Sequence, residues 1–143
     1  MEFVLNTIEQ LNWWAVIVAA LVPFPIGFLW YSLDYGFGKR WAKLVNLKKS
    51  DLEKTDGMAM TFSVLAVFAV ATAVVLACLL KATGTTGLFD SVVFGVVIGI
   101  VLRGGAHFIH NGFAKRPAEL TLLDVGHDMV SIVAMTAVLG VWL

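Results

Sequence analysis

The sequence contains few charged residues and a single cysteine, and each shortage excludes a class of protein. Only 14% of the 143 residues are charged, whereas 59% are hydrophobic, and the formal net charge at pH 7 is zero. A chain this apolar is not an ordinary soluble domain, and a neutral chain gives no reason to expect a nucleic-acid partner. Cys78 alone cannot form an internal disulfide, and one cysteine is too few for a cysteine zinc site.

The sequence patterns of several common enzyme classes are missing as well. There is no G-x-S-x-G, P-loop, H-E-x-x-H or G-x-G-x-x-G pattern. The three histidines are fewer than a membrane di-iron oxygenase requires. Catalysis is therefore the class of function that the sequence supports least.

What the sequence does contain is long apolar runs. About 20 apolar residues in a helix cross the roughly 30 Å hydrocarbon core of a bilayer, and four stretches reach that length. The predicted spans cover about residues 13–33, 58–80, 88–109 and 120–143. The fold class is thus all-α, with residues 1–143 forming one integral membrane domain, a bundle of four transmembrane helices.

Basic residues are distributed unequally between the two sides of this bundle. Nine of the ten lie in the first loop, in the third loop or just inside the adjoining span, and Lys81 alone lies on the opposite side. Positively charged loops stay in the cytoplasm. We therefore expect a multi-pass protein of the bacterial inner membrane with both termini outside.

Residues 36–49 are predicted to form an amphipathic helix that lies in the lipid headgroups between spans one and two. Phe37 and Trp41 follow helical spacing, and basic residues occupy the remaining arc. Trp30, Tyr31 and Trp41 are expected at the inner interface, where amphipathic aromatic rings are favourable.

Small residues on spans two and three indicate close helix packing. Ala66 and Ala73 belong to an alanine stripe on span two, and Gly95 and Gly99 form a GxxxG pattern on span three. Such residues let helix backbones approach closely, either within the bundle or between chains. Because so small a bundle has little interior of its own, we expect a homo-oligomer or another membrane subunit as partner.

Two prolines, Pro23 and Pro25, lie near the middle of span one. Each removes a backbone donor and obstructs the carbonyl four residues earlier, so a kink or short break is predicted there. A kink that serves packing is favoured over one that frees a carbonyl for an ion or substrate.

Ionisable residues cluster on spans three and four. The cluster consists of Arg103, His107 and His110 on span three and Asp124, His127 and Asp128 on span four. At about 100° per residue each set shares one helix face. Arg103 lies about 9 Å from the inner end of its span at 1.5 Å per residue, and the residues of span four lie at matching depths. Arginine keeps its proton inside a protein, so we predict that Arg103 pairs with Asp124 or Asp128 and bridges the two spans.

Three functions for this cluster remain open. In the first, the chain is a small inner-membrane protein of unassigned activity, structural or accessory, and the cluster connects its helices. In the second, protons or cations pass along it, since acid–histidine chains inside membranes mark ion pathways and histidine titrates near neutral pH. Asp124, His127 and Asp128 would then be the carriers, and Arg103 the fixed counter-charge.

The third function is the binding of a divalent transition metal. Imidazole and carboxylate groups on single helix faces suit zinc, iron, manganese or nickel. The candidate ligands are His107, His110, Asp124, His127 and Asp128.

Short motifs relate the chain to a known family. Asn-Trp opens span one at 12–13, W-Y-S follows at 30–32, and F-G-K-x-W follows at 37–41. The later motif residues are Asn111-Gly112-Phe113, Arg116-Pro117, Leu123-Asp124, Gly126, and Gly140 with Trp142. On these residues essentially the whole chain resembles a bacterial family of four-helix membrane proteins, domain of unknown function 1761. The resemblance implies a membrane bundle and carries over no functional residue, because the family has no assigned activity.

The chain departs from the usual pattern of that family after W-Y-S. The family usually has proline there and one residue fewer before F-G-K, whereas Leu33, Asp34 and Tyr35 intervene here. Asp34 adds a carboxylate near the polar cluster. The His-Asp pair after Gly126 is also richer in ionisable groups than the common pattern.

Overall fold

A computed structural model describes residues 2–47, 49–52 and 56–142, with side chains for 6–47, 50–51 and 56–142. Every regular element in these ranges is a helix. Four helices are long and apolar enough to cross a membrane: Trp13–Trp30, Met58–Thr83, Leu88–Phe113 and Ala118–Trp142. These are spans one to four, and the chain is an all-α, multi-pass membrane protein.

Each predicted span is present, with ends that differ from the prediction. Span three continues to Phe113, and span four begins at Ala118, directly after Pro117. Proline suits the start of a helix because its missing N–H would have no partner there. Gly84 ends span two in the left-handed conformation, with φ of 66°, as glycine commonly does. Leu143, the predicted end of span four, lies outside the described residues.

Span one is interrupted where its prolines predict a break. Its two helical parts are Trp13–Leu21 and Pro23–Trp30. Between them the Val22 N–H bonds to the Ala19 carbonyl, three residues back, instead of four. The second part begins with proline itself, so the missing donor falls where the helix does not need it.

Span four occupies the centre of the bundle. It packs against span three along most of its length and also contacts spans one and two. Spans two and three, in contrast, scarcely contact each other in the described part of the chain. They approach span four from different sides, so a cleft remains between them.

The apolar core lies between spans one, two and four, towards the end of the bundle that carries Trp13 and Trp142. Ala73 is fully buried in this core, whereas Ala66, at the other end of the alanine stripe, is half-buried. The stripe therefore packs within the chain through its later members. The opposite half of the bundle contains Arg103, His107, Asp124, His127 and Asp128.

Gly95 and Gly99 allow span three to lie directly against span four. A Cβ atom at Gly95 would lie 3.0 Å from the Cα atom of Val133, and one at Gly99 would meet the sulfur of Met129. Both glycines are buried. The GxxxG pattern is thus used inside the chain, as small residues at helix interfaces allow.

The predicted surface helix of residues 36–49 is shorter in the structure. A helix covers Gly38–Leu44, and a further turn covers Lys49–Leu52. Before it, the chain folds back on the end of span one, where the Phe37 N–H bonds to the Trp30 carbonyl at 2.7 Å. A position for this segment in the headgroups stays a prediction.

Sequence analysis did not predict the helix Glu2–Glu9, which precedes span one and packs beside span two. Lys81 Nζ donates to the carbonyl of Gln10 at 2.9 Å and fixes the end of this segment on span two. Span one then starts at an N-cap, since the side chain of Asn12 accepts the Ala15 N–H at 3.3 Å.

Candidate functional site

Asp128 on span four is the centre of the polar site. Its Oδ2 atom lies 2.6 Å from Arg103 Nη2 and 3.1 Å from His107 Nε2, both on span three. Its Oδ1 atom lies 3.2 Å from Nδ1 of the neighbouring His127. A carboxylate only accepts hydrogen bonds, so each histidine nitrogen carries its proton at these contacts. We call these four residues the Asp128 cluster.

The predicted bridge between spans three and four therefore forms with Asp128 and not with Asp124. The Asp128 side chain is 15% exposed, whereas the Arg103 side chain is 56% exposed. The carboxylate is thus enclosed by its partners. The guanidinium is held at one nitrogen and is otherwise open.

A π-helical segment, Gly99–Gly104, decides which residues of span three face span four. The Gly105 N–H bonds to the carbonyl of Ile100, five residues back, and such a turn holds one residue more than an α-helical turn. The buried glycine that follows Gly99 accordingly comes five residues later instead of four. Beyond this segment, His107 faces span four.

His110 does not join the cluster, and the prediction that it does is wrong. It is exposed, and no hydrogen bond or ion pair connects its side chain to another described residue. The prediction assumed an uninterrupted 100° per residue along span three. The extra residue in the π-helical turn rotates His110 away from span four.

Asp124 is also outside the cluster, because it bonds to span one. Its Oδ1 atom accepts the Tyr31 hydroxyl at 3.1 Å. Tyr31 lies immediately beyond span one, and its pKa is raised above its ordinary value, first by burial and then by the charge of Asp124. The phenol therefore stays protonated and donates to Asp124 at neutral pH.

Trp30 is half-buried and points at span four. Its Nε1–H donates to the Leu123 carbonyl at 3.2 Å, and its ring packs 4.9 Å from that of Phe37. A Cβ atom at Gly126 would lie 2.9 Å from Trp30 Cζ2, so the absence of a side chain there lets the indole approach. Sequence analysis placed Trp30 at the headgroup level and missed this contact, for which the only signal was the glycine at 126.

His127 lies between the aromatic end of span one and Asp128. Its ring centroid is 5.2 Å from that of Tyr31 and 6.3 Å from that of Trp30. The side chain is 17% exposed. The buried Nε2 atom has no hydrogen-bond partner among the described residues. Since Nδ1 carries the proton, Nε2 of the neutral ring is a free acceptor.

A second ion pair lies outside the cluster. The guanidinium of Arg40, on the helix between spans one and two, binds both carboxylate oxygens of Glu119 at the start of span four. Hydrogen bonding to Glu119 raises the pKa of Arg40. Sequence analysis did not predict this pair, because nothing local connects two exposed residues so far apart in the chain.

A cavity of about 270 Å³ lies beside the Asp128 cluster, lined mainly by spans two and four, with Arg103 as the lining residue from span three. Every span contributes to its wall, with Arg103 and Asp128 at the polar part and Phe68 and Met135 at the apolar part. Ser131 also lines it, and its buried hydroxyl has no partner in the described part of the chain.

The chain matches one family of known sequences. A family model described as protein of unknown function, DUF1761, matches residues 14–140. The chain belongs to the DUF1761 family. No curated protein and no solved structure matches it. The family description assigns no function to this DUF1761 protein.

The predicted metal site is not assembled in this DUF1761 protein. Among the described residues, no group of three or more histidine, cysteine, aspartate and glutamate side chains is arranged to hold a metal ion. Asp124 binds a phenol and His110 is exposed. His107 and His127 each direct one ring N–H at Asp128, so this carboxylate is engaged with protein partners.

Proposed function

We propose that this protein is a structural or accessory membrane protein whose Asp128 cluster connects spans three and four. The observation that carries the proposal is that one enclosed carboxylate forms an ion pair with Arg103 and a hydrogen bond with His107 of the neighbouring span. Charged groups within membrane helices face the bundle and pair with one another. The same carboxylate also contacts His127. It therefore stabilises the polar half of the bundle, whereas the apolar core stabilises the other half.

A double-mutant cycle in detergent tests this proposal. Breaking a buried pair by removing one partner leaves an uncompensated charge, which is worse than removing both. Arg103→Met should therefore lower the unfolding temperature more than Arg103→Met combined with Asp128→Asn. Arg40→Met, which breaks the exposed pair with Glu119, is the matched control and should change it little. Equal stability of Arg103→Met and the parent protein would exclude the structural role.

Proton transfer is the second candidate function, and the free Nε2 atom of His127 favours it. Asp128 is engaged with three partners, whereas His127 keeps one ring nitrogen without a partner in the described residues, and histidine is a common proton carrier. Vesicles that contain the protein and a pH-sensitive dye should then show proton flux that His127→Gln abolishes. Equal flux in both proteins would reject this candidate.

We further propose that the protein lies in the bacterial inner membrane with both termini outside. The described basic residues around Gly38–Leu44 and at Lys115 and Arg116 lie beyond the same ends of the four spans, and such ends stay cytoplasmic. Reporter fusions at the C-terminus test this: alkaline phosphatase should be active and green fluorescent protein dark. The opposite pattern would reverse the orientation.

We also propose that the protein forms a homo-oligomer. Between 17% and 28% of each candidate span is buried within the chain, so most of the helical surface is available to lipid or to a second copy. Light scattering of the purified protein in detergent should give a protein mass above that of one 15.5 kDa chain. A monomeric mass at all concentrations would contradict this.

A further inference from the structure

The guanidinium of Arg103 pairs with Asp128 but is more than half exposed, so a further acceptor can reach it. Arg103 is ten residues from the end of span three at Phe113, and Asp128 is ten residues from the start of span four at Ala118. At 1.5 Å per residue both are about 15 Å from those helix ends, near the middle of a roughly 30 Å hydrocarbon core. Nη2 lies against Asp128, yet the Arg103 side chain is 56% exposed, so part of the guanidinium is open at a depth where water is scarce.

The guanidinium lies at a cavity that has a polar and an apolar part. Along span four the wall changes from Asp128 and Ser131 to Met135 over about 10 Å. Phe68 of span two faces the same space and is 66% exposed. Because spans two and three scarcely contact each other, the cavity opens sideways between them, towards lipid.

Ser131 is, like His127, a residue of the cavity wall with a polar atom that lacks a partner in the described structure. The hydroxyls of Ser63, Thr83 and Thr136 each donate to a carbonyl of their own helix. The Ser131 hydroxyl, which is equally able to do so, has no such bond in the described structure. A buried unpaired hydroxyl is unfavourable, so a ligand oxygen within its reach would be stabilised.

The charge of the site decides what kind of oxygen fits. The charges of Arg103 and Asp128 cancel each other. An anionic ligand would add an uncompensated charge at mid-membrane depth, which is expensive. A carbonyl oxygen accepts hydrogen bonds without that cost. The cavity volume of about 270 Å³ is at the small end for ligand sites, so it holds one ring-sized head with any tail lying outside.

We propose that this cavity binds a neutral lipid-soluble carbonyl compound of the quinone type. Its carbonyl oxygen accepts from Arg103 and from the Ser131 hydroxyl, its ring packs against Phe68, and its tail leaves between spans two and three. This proposal rests on the proposed function, because the Arg103–Asp128 pair stays intact. The ligand binds at the exposed side of the Arg103 guanidinium.

Titration with decylubiquinone, followed by quenching of tryptophan fluorescence, tests this in nanodiscs. Trp30, one of five tryptophans, packs against His127, which lines the cavity, and supplies the part of the signal that is local to the site. Quenching of the parent protein should saturate. Phe68→Ala should weaken binding about tenfold, while Phe62→Ala on the same helix, also exposed but away from the cavity, should leave it unchanged. Phe68 takes no part in the Asp128 cluster, so this variant does not depend on the fate of Arg103→Met.

Three results would overturn the proposal. Quenching without saturation, or identical quenching in Phe68→Ala and the parent protein, would show partition into lipid only. Displacement of the quinone by oleic acid at lower concentration would show that the site takes a carboxylate. The structural role is judged separately by unfolding temperature, so failure of one proposal does not decide the other.

Discussion

His107 Nε2 lies 3.1 Å from Asp128 Oδ2, although a regular helix would direct His110 at span four at least as well. This contact between His107 and Asp128 depends on the π-helical segment Gly99–Gly104, whose extra residue changes which face of span three lies against span four. Interruptions of this kind often occur at functional sites. Here it brings His107 to the carboxylate that also binds Arg103, and it leaves His110 outside.

This difference between the two histidines can be measured. His107→Ala removes a hydrogen bond to an ionised group, which contributes about 1.5–3 kcal/mol, and should lower the unfolding temperature in detergent. His110→Ala, on the same helix and without a partner in the described residues, should leave it unchanged. If both variants lost equal stability, the two histidines would be in equivalent positions and the π-helical rotation would be wrong.

The contact between Trp30 and Gly126 gives a steric prediction. Because a Cβ atom at Gly126 would lie 2.9 Å from the indole, Gly126→Ala should displace Trp30 and cost about 1–3 kcal/mol, as overpacking does. Gly112→Ala is the control, since nothing lies within 4 Å of that position and alanine favours a helix. Thermal unfolding of both variants, with Trp30 fluorescence as a local probe, should separate them; a red shift is expected only for Gly126→Ala.

Metal removal should have no effect on this protein. No group of side chains that could hold a metal exists among the described residues, and the carboxylates of Asp124 and Asp128 are bound to protein partners. We expect that a chelator leaves the unfolding temperature unchanged, and that elemental analysis after incubation with Zn²⁺ finds far less than one ion per chain. Near-stoichiometric zinc that raises stability would restore the metal hypothesis.

Sequence reasoning predicted the parts of the structure that depend on length and depth. The four spans follow from apolar runs, and the pairing of Arg103 with an aspartate of span four follows from equal depth on adjacent helices. The break before Pro23 follows from a missing backbone donor. These are properties of single helices, or of two helices joined by a short loop.

Contacts that depend on tertiary geometry could not be predicted in this way. The bond from Tyr31 to Asp124 requires the position of span one relative to span four, which no local pattern gives. The π-helical segment has no signal in hydrophobic periodicity, because glycines on span three leave that pattern incomplete. His110 was therefore assigned to the cluster, and Tyr31 was assigned to the membrane interface alone.

The bond between Tyr31 and Asp124 predicts a specific dependence of stability on pH. Tyr31→Phe removes the donor and leaves a partly buried carboxylate without it, so the variant should lose about 1–3 kcal/mol of unfolding free energy.

The pKa of the phenol is higher in the folded protein than in the unfolded chain, where it is about 10. Its contribution is therefore fully present below the unfolded value and is lost only as pH rises through the folded value. The difference in unfolding free energy between parent and variant should stay constant between about pH 7 and 9. The control Trp41→Phe keeps an aromatic ring beside Tyr31 and should not reproduce this loss. A difference that disappears between pH 7 and 9 would mean that the phenol loses its proton there, which contradicts the hydrogen bond to Asp124.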